Sequence, residues 1–87
     1  MRICIVIPVY NEEDIIKESL ETIVKYTIDL QNTVEIIVVN DGSNDSTKFI
    51  VKQIADQQDS IKLILISHQI NKGYGTALKT GINYALL

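Results

Sequence analysis

Unbroken apolar runs alternate along the chain with stretches whose apolar residues recur every three or four positions. The runs are "ICIVI" at 3–7, "EIIVVN" at 35–40 and "IKLILIS" at 61–67, all rich in Ile or Val. The first two lack the polar alternation of a strand with one wet face, so they predict strands covered on both faces, as in a parallel sheet. Between them, "EEDIIKESLETIVKYT" places Ile16, Leu20, Ile23, Val24 and Thr27 on one helical stripe. Asn11 stands where it can cap that helix, and Glu12, Glu13 and Asp14 suit the positive end of its dipole. "STKFIVKQIADQ" repeats the pattern with Thr47, Ile50, Val51 and Ile54, and Ser43 or Asp45 is a plausible cap. A third helix is expected from near Gly75, with Ala77, Leu78, Ile82, Ala85 and Leu86 on its apolar side.

The order βαβαβα with right-handed crossovers is half of a doubly wound, Rossmann-like α/β sheet. The pattern ends inside an amphipathic helix, and three parallel strands leave two sheet edges. Both features suggest the front of a longer domain. An uncovered apolar edge also invites pairing with a second copy, so a self-associating, non-catalytic α/β fragment is the rival reading.

Composition narrows the classes. At 87 residues the chain holds one small domain. A net charge of −3, with eight unclustered Lys and Arg, gives no electrostatic footprint for nucleic acid. The lone Cys4 lies within an apolar run and reads as a buried structural thiol in a reducing compartment. "MRICIVIPVY" superficially resembles a secretory leader, but Pro8 interrupts a short apolar run and acidic residues follow.

In an open parallel sheet, ligands bind beyond the carboxyl ends of the strands. Three polar loops should meet there: "PVYNEE", "NDGSNDST" and "HQINKGYGTA". Asp41, an acceptor when ionised, can take the N–H of uracil or guanine. Gly42 permits a positive φ at the sharp exit from the strand. Tyr10 offers a ring face to a base and a hydroxyl to ribose or phosphate. Pro8 fixes the turn, Glu12 can accept from sugar hydroxyls, and Lys72 can reach a phosphate. Each has a plainer reading: Asp41-Gly42 as an ordinary turn, Glu12 as a helix-dipole residue, Tyr10 as a rim residue. "GYGTALKTG" satisfies neither the dinucleotide fingerprint nor the P-loop spacing. His68 has no partner at metal-ligand spacing and reads as a solvated or loop-anchoring residue.

Taken together, "VIPVYNEE", "VVNDGSNDST" and "NKGYGTALKTGI" resemble the N-terminal half of family 2 glycosyltransferases with the GT-A fold. Among these the chain is most similar to the dolichyl- or polyprenyl-phosphate mannosyl- and glucosyltransferase group. The resemblance implies that Pro8, Tyr10 and Glu12 belong to the nucleoside-binding first loop, that Val39 and Asp41 hold the base, and that Lys72 lies near the nucleotide. Asn40 stands where many members carry a further Asp. The resemblance implies a UDP- or GDP-sugar donor, and a lipid-phosphate or glycan acceptor in the intact enzyme. It also implies a divalent Mg or Mn ion, whose Asp-x-Asp ligand motif follows a fourth strand beyond Leu87, as does the catalytic base. The expectation is therefore a hexosyltransferase segment that is catalytically inert alone. Its location would be cytoplasmic, extending to the inner face of a membrane in the parent protein. A receiver-like or flavodoxin-like domain fits less well, because Pro8-Val9-Tyr10 stands where a receiver needs acidic residues.

Overall fold

A computed structural model describes residues 2–30 and 33–87. Three strands and three helices alternate: β1 (Arg2–Val9), α1 (Ile16–Thr27), β2 (Thr33–Asp41), α2 (Thr47–Gln57), β3 (Lys62–His68) and α3 (Tyr74–Ala85). The strands form one parallel sheet in the order β1-β2-β3. This is the Rossmann-like βαβαβα arrangement that the periodicity predicts.

The unbroken apolar run of β2 follows from its central place, because both of its faces are covered. Val34, Ile36 and Val38 enter a core with Ile16 and Leu20 of α1 and Val51 of α2. The alternate residues Ile37 and Val39 face the other way, into a cluster with Ala77 of α3. Two helices thus lie on one face and one on the other. Complete burial of an Ile or Val side chain contributes roughly 1.5–3 kcal/mol, so β2 is the main hydrophobic anchor. The flanking strands keep Ile3, Ile5, Ile7, Leu63 and Leu65 half-buried against the larger core. Cys4 is likewise half-buried, as a free thiol beside the α3-side cluster, and so is less enclosed than its sequence context suggests.

The helix boundaries correct two expected caps. Asn11 does not cap α1. Its backbone is left-handed (φ 50°), and its side-chain oxygen accepts from Asn44 N–H in the neighbouring β2–α2 loop. A turn closed on the Glu12 carbonyl precedes α1, whose first position has no side-chain cap. Ser43 does not cap α2 either, because its hydroxyl accepts from the Asn11 N–H. Asp45 does serve the start of α2, accepting the Thr47 N–H at 2.9 Å. At the far end of α1, buried Thr27 donates its hydroxyl to the carbonyls of Ile23 and Val24, which makes it compatible with the apolar stripe.

The third helix meets expectation in part: Ala77 and Ala85 pack inward as the stripe predicts, while Ile82 and Leu86 do not. Its inner seam is Ala77, Gly81 and Ala85, whereas Ile82 and Leu86 are 44% and 80% exposed. Small residues at this spacing let α3 lie close against β1 and β2. A Cβ on Gly81 would overlap Val6 Cγ1 and come within 3.1 Å of Val39 Cγ2. The larger apolar side chains are left on the outer side. Gly81→Val should therefore cost about 2 kcal/mol or more through overpacking. Urea denaturation measures it, and a variant as stable as the parent would mean that α3 stands off the sheet.

Candidate functional site

The three polar loops meet at the carboxyl end of the sheet, and two sets of hydrogen bonds fasten them. The first set joins the β1–α1 loop to the β2–α2 loop. Asn11 N–H donates to Ser43 Oγ (3.0 Å), and Asn44 N–H donates back to Asn11 Oδ1 (2.7 Å). Glu12 N–H donates to Thr47 Oγ1 (2.8 Å), and Ser46 N–H donates to the Glu13 carboxylate (2.8 Å). Glu13 thus places a carboxylate at the N-terminus of α2, where the helix dipole favours it. Burial pushes the Asp45 carboxyl up, but hydrogen bonds from the Thr47 hydroxyl and N–H and the Glu13 N–H outweigh this and hold it low.

The second set joins the β2–α2 loop to the β3–α3 loop through Asp41. This residue is 3% exposed at the end of β2, where an unpaired charge would be costly. Its Oδ1 accepts from His68 Nδ1 at 2.8 Å and from Lys72 N–H at 2.9 Å, and its Oδ2 accepts from Gly73 N–H at 2.9 Å. Gly42 adopts φ 72°, and a Cβ there would overlap the main chain of Ile70 and Asn71. Two loop backbones therefore touch, and glycine is needed both for the dihedral and for the approach. Behind Asp41, the neighbouring Asn40 accepts from Ser43 N–H (3.2 Å) and donates to Ser67 Oγ (3.4 Å).

Between these fastenings lies a cleft of about 400 Å³ lined by Pro8, Val9, Tyr10, Glu12, Asp41, Asn71, Gly73, Tyr74 and Ala77. Four of the six residues singled out for nucleotide binding, Pro8, Tyr10, Glu12 and Asp41, share this wall. Val39 does not line it, because its side chain is fully buried against α3. Lys72 contributes its backbone N–H to Asp41, while its side chain is not among the lining groups. Tyr74, 70% exposed, adds a second aromatic to a lining that already holds Tyr10, which is 43% exposed. Tyr74 is a lining residue that the sequence does not single out, and His68, at 9% exposure, is not solvated but is the loop-anchoring residue of the two readings open for it. The signal for His68 is positional: it is the register partner of Asp41, each being the last residue of its strand.

A second cleft, of about 340 Å³, opens at the opposite end of the sheet among Thr27, Leu30, Glu35 and Lys62. Nearby, Arg2 pairs with Glu35 at 3.2 Å in an exposed ion pair of the kind that adds little stability. Among the described residues, no group of three or more His, Cys, Asp or Glu side chains is placed to hold a metal ion. The residues at hand thus do not by themselves fit the divalent ion that the family resemblance implies. No helix among the described residues is long and apolar enough to cross a membrane.

Comparison with known proteins agrees with the loops. Residues 4–86 match the family described as glycosyl transferase family 2. The undecaprenyl-phosphate 4-deoxy-4-formamido-L-arabinose transferase of Proteus mirabilis is 34% identical over 86 residues, 97% of this chain and 26% of that protein. The dolichyl-phosphate beta-glucosyltransferase of Dictyostelium discoideum is 33% identical over 83 residues, 90% of this chain and 25% of that protein. A shorter match, 51% over 47 residues, links 54% of the chain to 7% of the poly(ribitol-phosphate) beta-glucosyltransferase of Bacillus spizizenii. The chain therefore spans about a quarter or less of the length of these relatives.

The hydrogen bond from His68, opposed by burial and aided by the Lys72 and Gly73 N–H groups, holds the Asp41 carboxyl below its ordinary 3.8. A folded-state value below the unfolded one adds stability that is complete above the unfolded value and is lost as pH falls through the folded value. Asp41→Asn should be less stable than the parent near neutral pH, and its urea midpoint should fall less on acidification to about pH 3. Parallel acid losses in the two proteins would contradict the assignment.

Proposed function

The chain belongs to glycosyl transferase family 2, and we propose that its cleft binds the nucleoside end of a nucleotide-sugar donor. One observation carries this reading. Loops from all three strands place an aromatic face, a buried carboxylate and the start of α3 around a single cleft at the carboxyl edge of the sheet. Each element has a chemical counterpart in a UDP- or GDP-sugar. Tyr10 stacks on the base. Asp41 accepts a base N–H through the acceptor capacity left on Oδ2. Glu12 accepts from ribose hydroxyls. Val39 serves by shaping the buried floor on which Asp41 stands. The Lys72 ammonium, free to swing from the adjacent loop, meets the diphosphate.

The same reading assigns the sugar acceptor to the parent protein. Two relatives carry a lipid phosphate in their names, and a lipid phosphate is the acceptor class proposed here, with a glycan as the alternative. Such a parent would work on the cytoplasmic side of a membrane and would use a divalent ion held by ligands outside these 87 residues. In this reading the chain alone binds nucleotide without transferring sugar.

A second reading, self-association without a ligand, is favoured by the apolar side chains left outside, among them Ile15, Phe49 and Ile82. Light scattering across a concentration series separates the two. A 9.8 kDa monomer at all concentrations removes the self-association reading.

Isothermal titration with UDP and GDP tests the nucleotide reading. Binding of at least one is expected, and Tyr10→Ala should weaken it by about 1–2 kcal/mol, the scale of one base–aromatic stack. Equal affinity in the variant, or no heat with either nucleotide in the parent, would remove the assignment.

A further inference from the structure

Asp41 must offer a particular oxygen to the cleft, and its surroundings show what orients it. A carboxylate has about four acceptor positions. Two donors, His68 Nδ1–H and Lys72 N–H, converge on Oδ1, while Oδ2 receives Gly73 N–H alone. The unfilled position is therefore on Oδ2. The imidazole that helps saturate Oδ1 is itself held from behind. His68 Nε2 lies 2.9 Å from Thr80 Oγ1 on α3; with the ring proton on Nδ1 that hydroxyl donates to Nε2, and the Thr76 carbonyl at 3.0 Å is the alternative acceptor for its single proton. Both side chains of the pair are enclosed, at 9% exposure for His68 and 4% for Asp41.

From this geometry we propose that His68 is a positioning residue for ligand binding. Anchored to α3 by Thr80, it fixes the rotation of the Asp41 carboxylate so that the open acceptor of Oδ2 is the one presented to the cleft. The chain of contacts runs from α3 through Thr80 and His68 to Asp41, and then to the main chain of Lys72 and of Gly73, the latter lining the cleft. Only the Nδ1 contact orients the carboxylate; the Nε2 contact holds the ring. The proposal rests on the nucleotide reading of the cleft for its ligand, but the clamp has signatures of its own.

His68 is the sole histidine, so imidazole nitrogen signals in an NMR spectrum belong to it without assignment. An ionised Asp41 can only accept, which requires the proton on Nδ1. The neutral ring at alkaline pH should therefore be the Nδ1–H tautomer, the less common form of free imidazole side chains. An Nε2–H tautomer overturns the proposal. Two substitutions then divide the contacts. In His68→Asn the amide nitrogen replaces Nδ1 and keeps the Asp41 contact. In His68→Gln the amide reaches the Nε2 position and keeps the Thr80 contact instead. UDP and GDP titrations should give His68→Asn an affinity within about threefold of the parent and His68→Gln one about tenfold weaker, the loss of one hydrogen bond to a charged group. Equal weakening in both variants would show a merely structural role and overturn the proposal. Amide exchange at Lys72 and Gly73 reads the clamp without any ligand, and it should quicken in His68→Gln and stay slow in His68→Asn. If the parent binds neither nucleotide, the nucleotide reading fails while this exchange contrast still decides the clamp; exchange alike in both variants overturns it.

Discussion

A single buried carboxylate at the end of the central strand is the constraint around which this end of the molecule is organised. Asp41 leaves the sheet where the apolar run of β2 stops, and it is almost completely enclosed. A charge in that place survives only if it is hydrogen-bonded on several sides. Its three donors come from the last residue of β3 and from the two residues just before α3. Satisfying Asp41 therefore fixes the third loop, sets the entry of α3, and builds one wall of the cleft. The polar switch after "EIIVV" is the strand's exit and the site's foundation at once.

The two fastenings differ in kind. The belt formed by Asn11, Glu12 and Glu13 with residues 43–47 is a set of separate neutral or exposed contacts, each modest. It aligns the first loop beside the second and holds Tyr10 at the rim. The Asp41 cluster is charge-assisted and enclosed, so its bonds are individually stronger and their loss is more costly. The cleft lies between these two sets of contacts. That arrangement suits the proposed ligand, whose base would lie between the buried carboxylate and Tyr10 while its diphosphate reaches toward Lys72.

The apolar runs made the sheet legible in the sequence. A strand buried on both faces has no reason to alternate, and β2 has Val34, Ile36 and Val38 on one face with Ile37 and Val39 on the other. Helix stripes were legible where large residues do the packing, as with Ile16 and Leu20. In α3 they were right for Ala77 and Ala85 but missed Gly81 and included Ile82 and Leu86, because close approach needs small side chains. Hydrophobicity ranks Ile82 and Leu86 above these, yet proximity to the sheet excludes them. The expected cap at Asn11 failed for a related reason: a side chain suited to capping was recruited by a loop distant in sequence. His68 escaped notice as a site residue because its partner is fixed by strand register, which one sequence does not display. The loops themselves were legible as a group, since the carboxyl edge of a parallel sheet is where three such polar segments must gather.

The central claim is that the cleft beside Asp41, and not the one at the other end of the sheet, receives a nucleoside. Amide chemical shifts followed through a titration with UDP or GDP test it most directly. The expected result is a set of saturable changes confined to Tyr10, Glu12, Asp41, residues 71–74 and Ala77. Changes centred instead on Thr27, Glu35 and Lys62, or none that saturate, would contradict it.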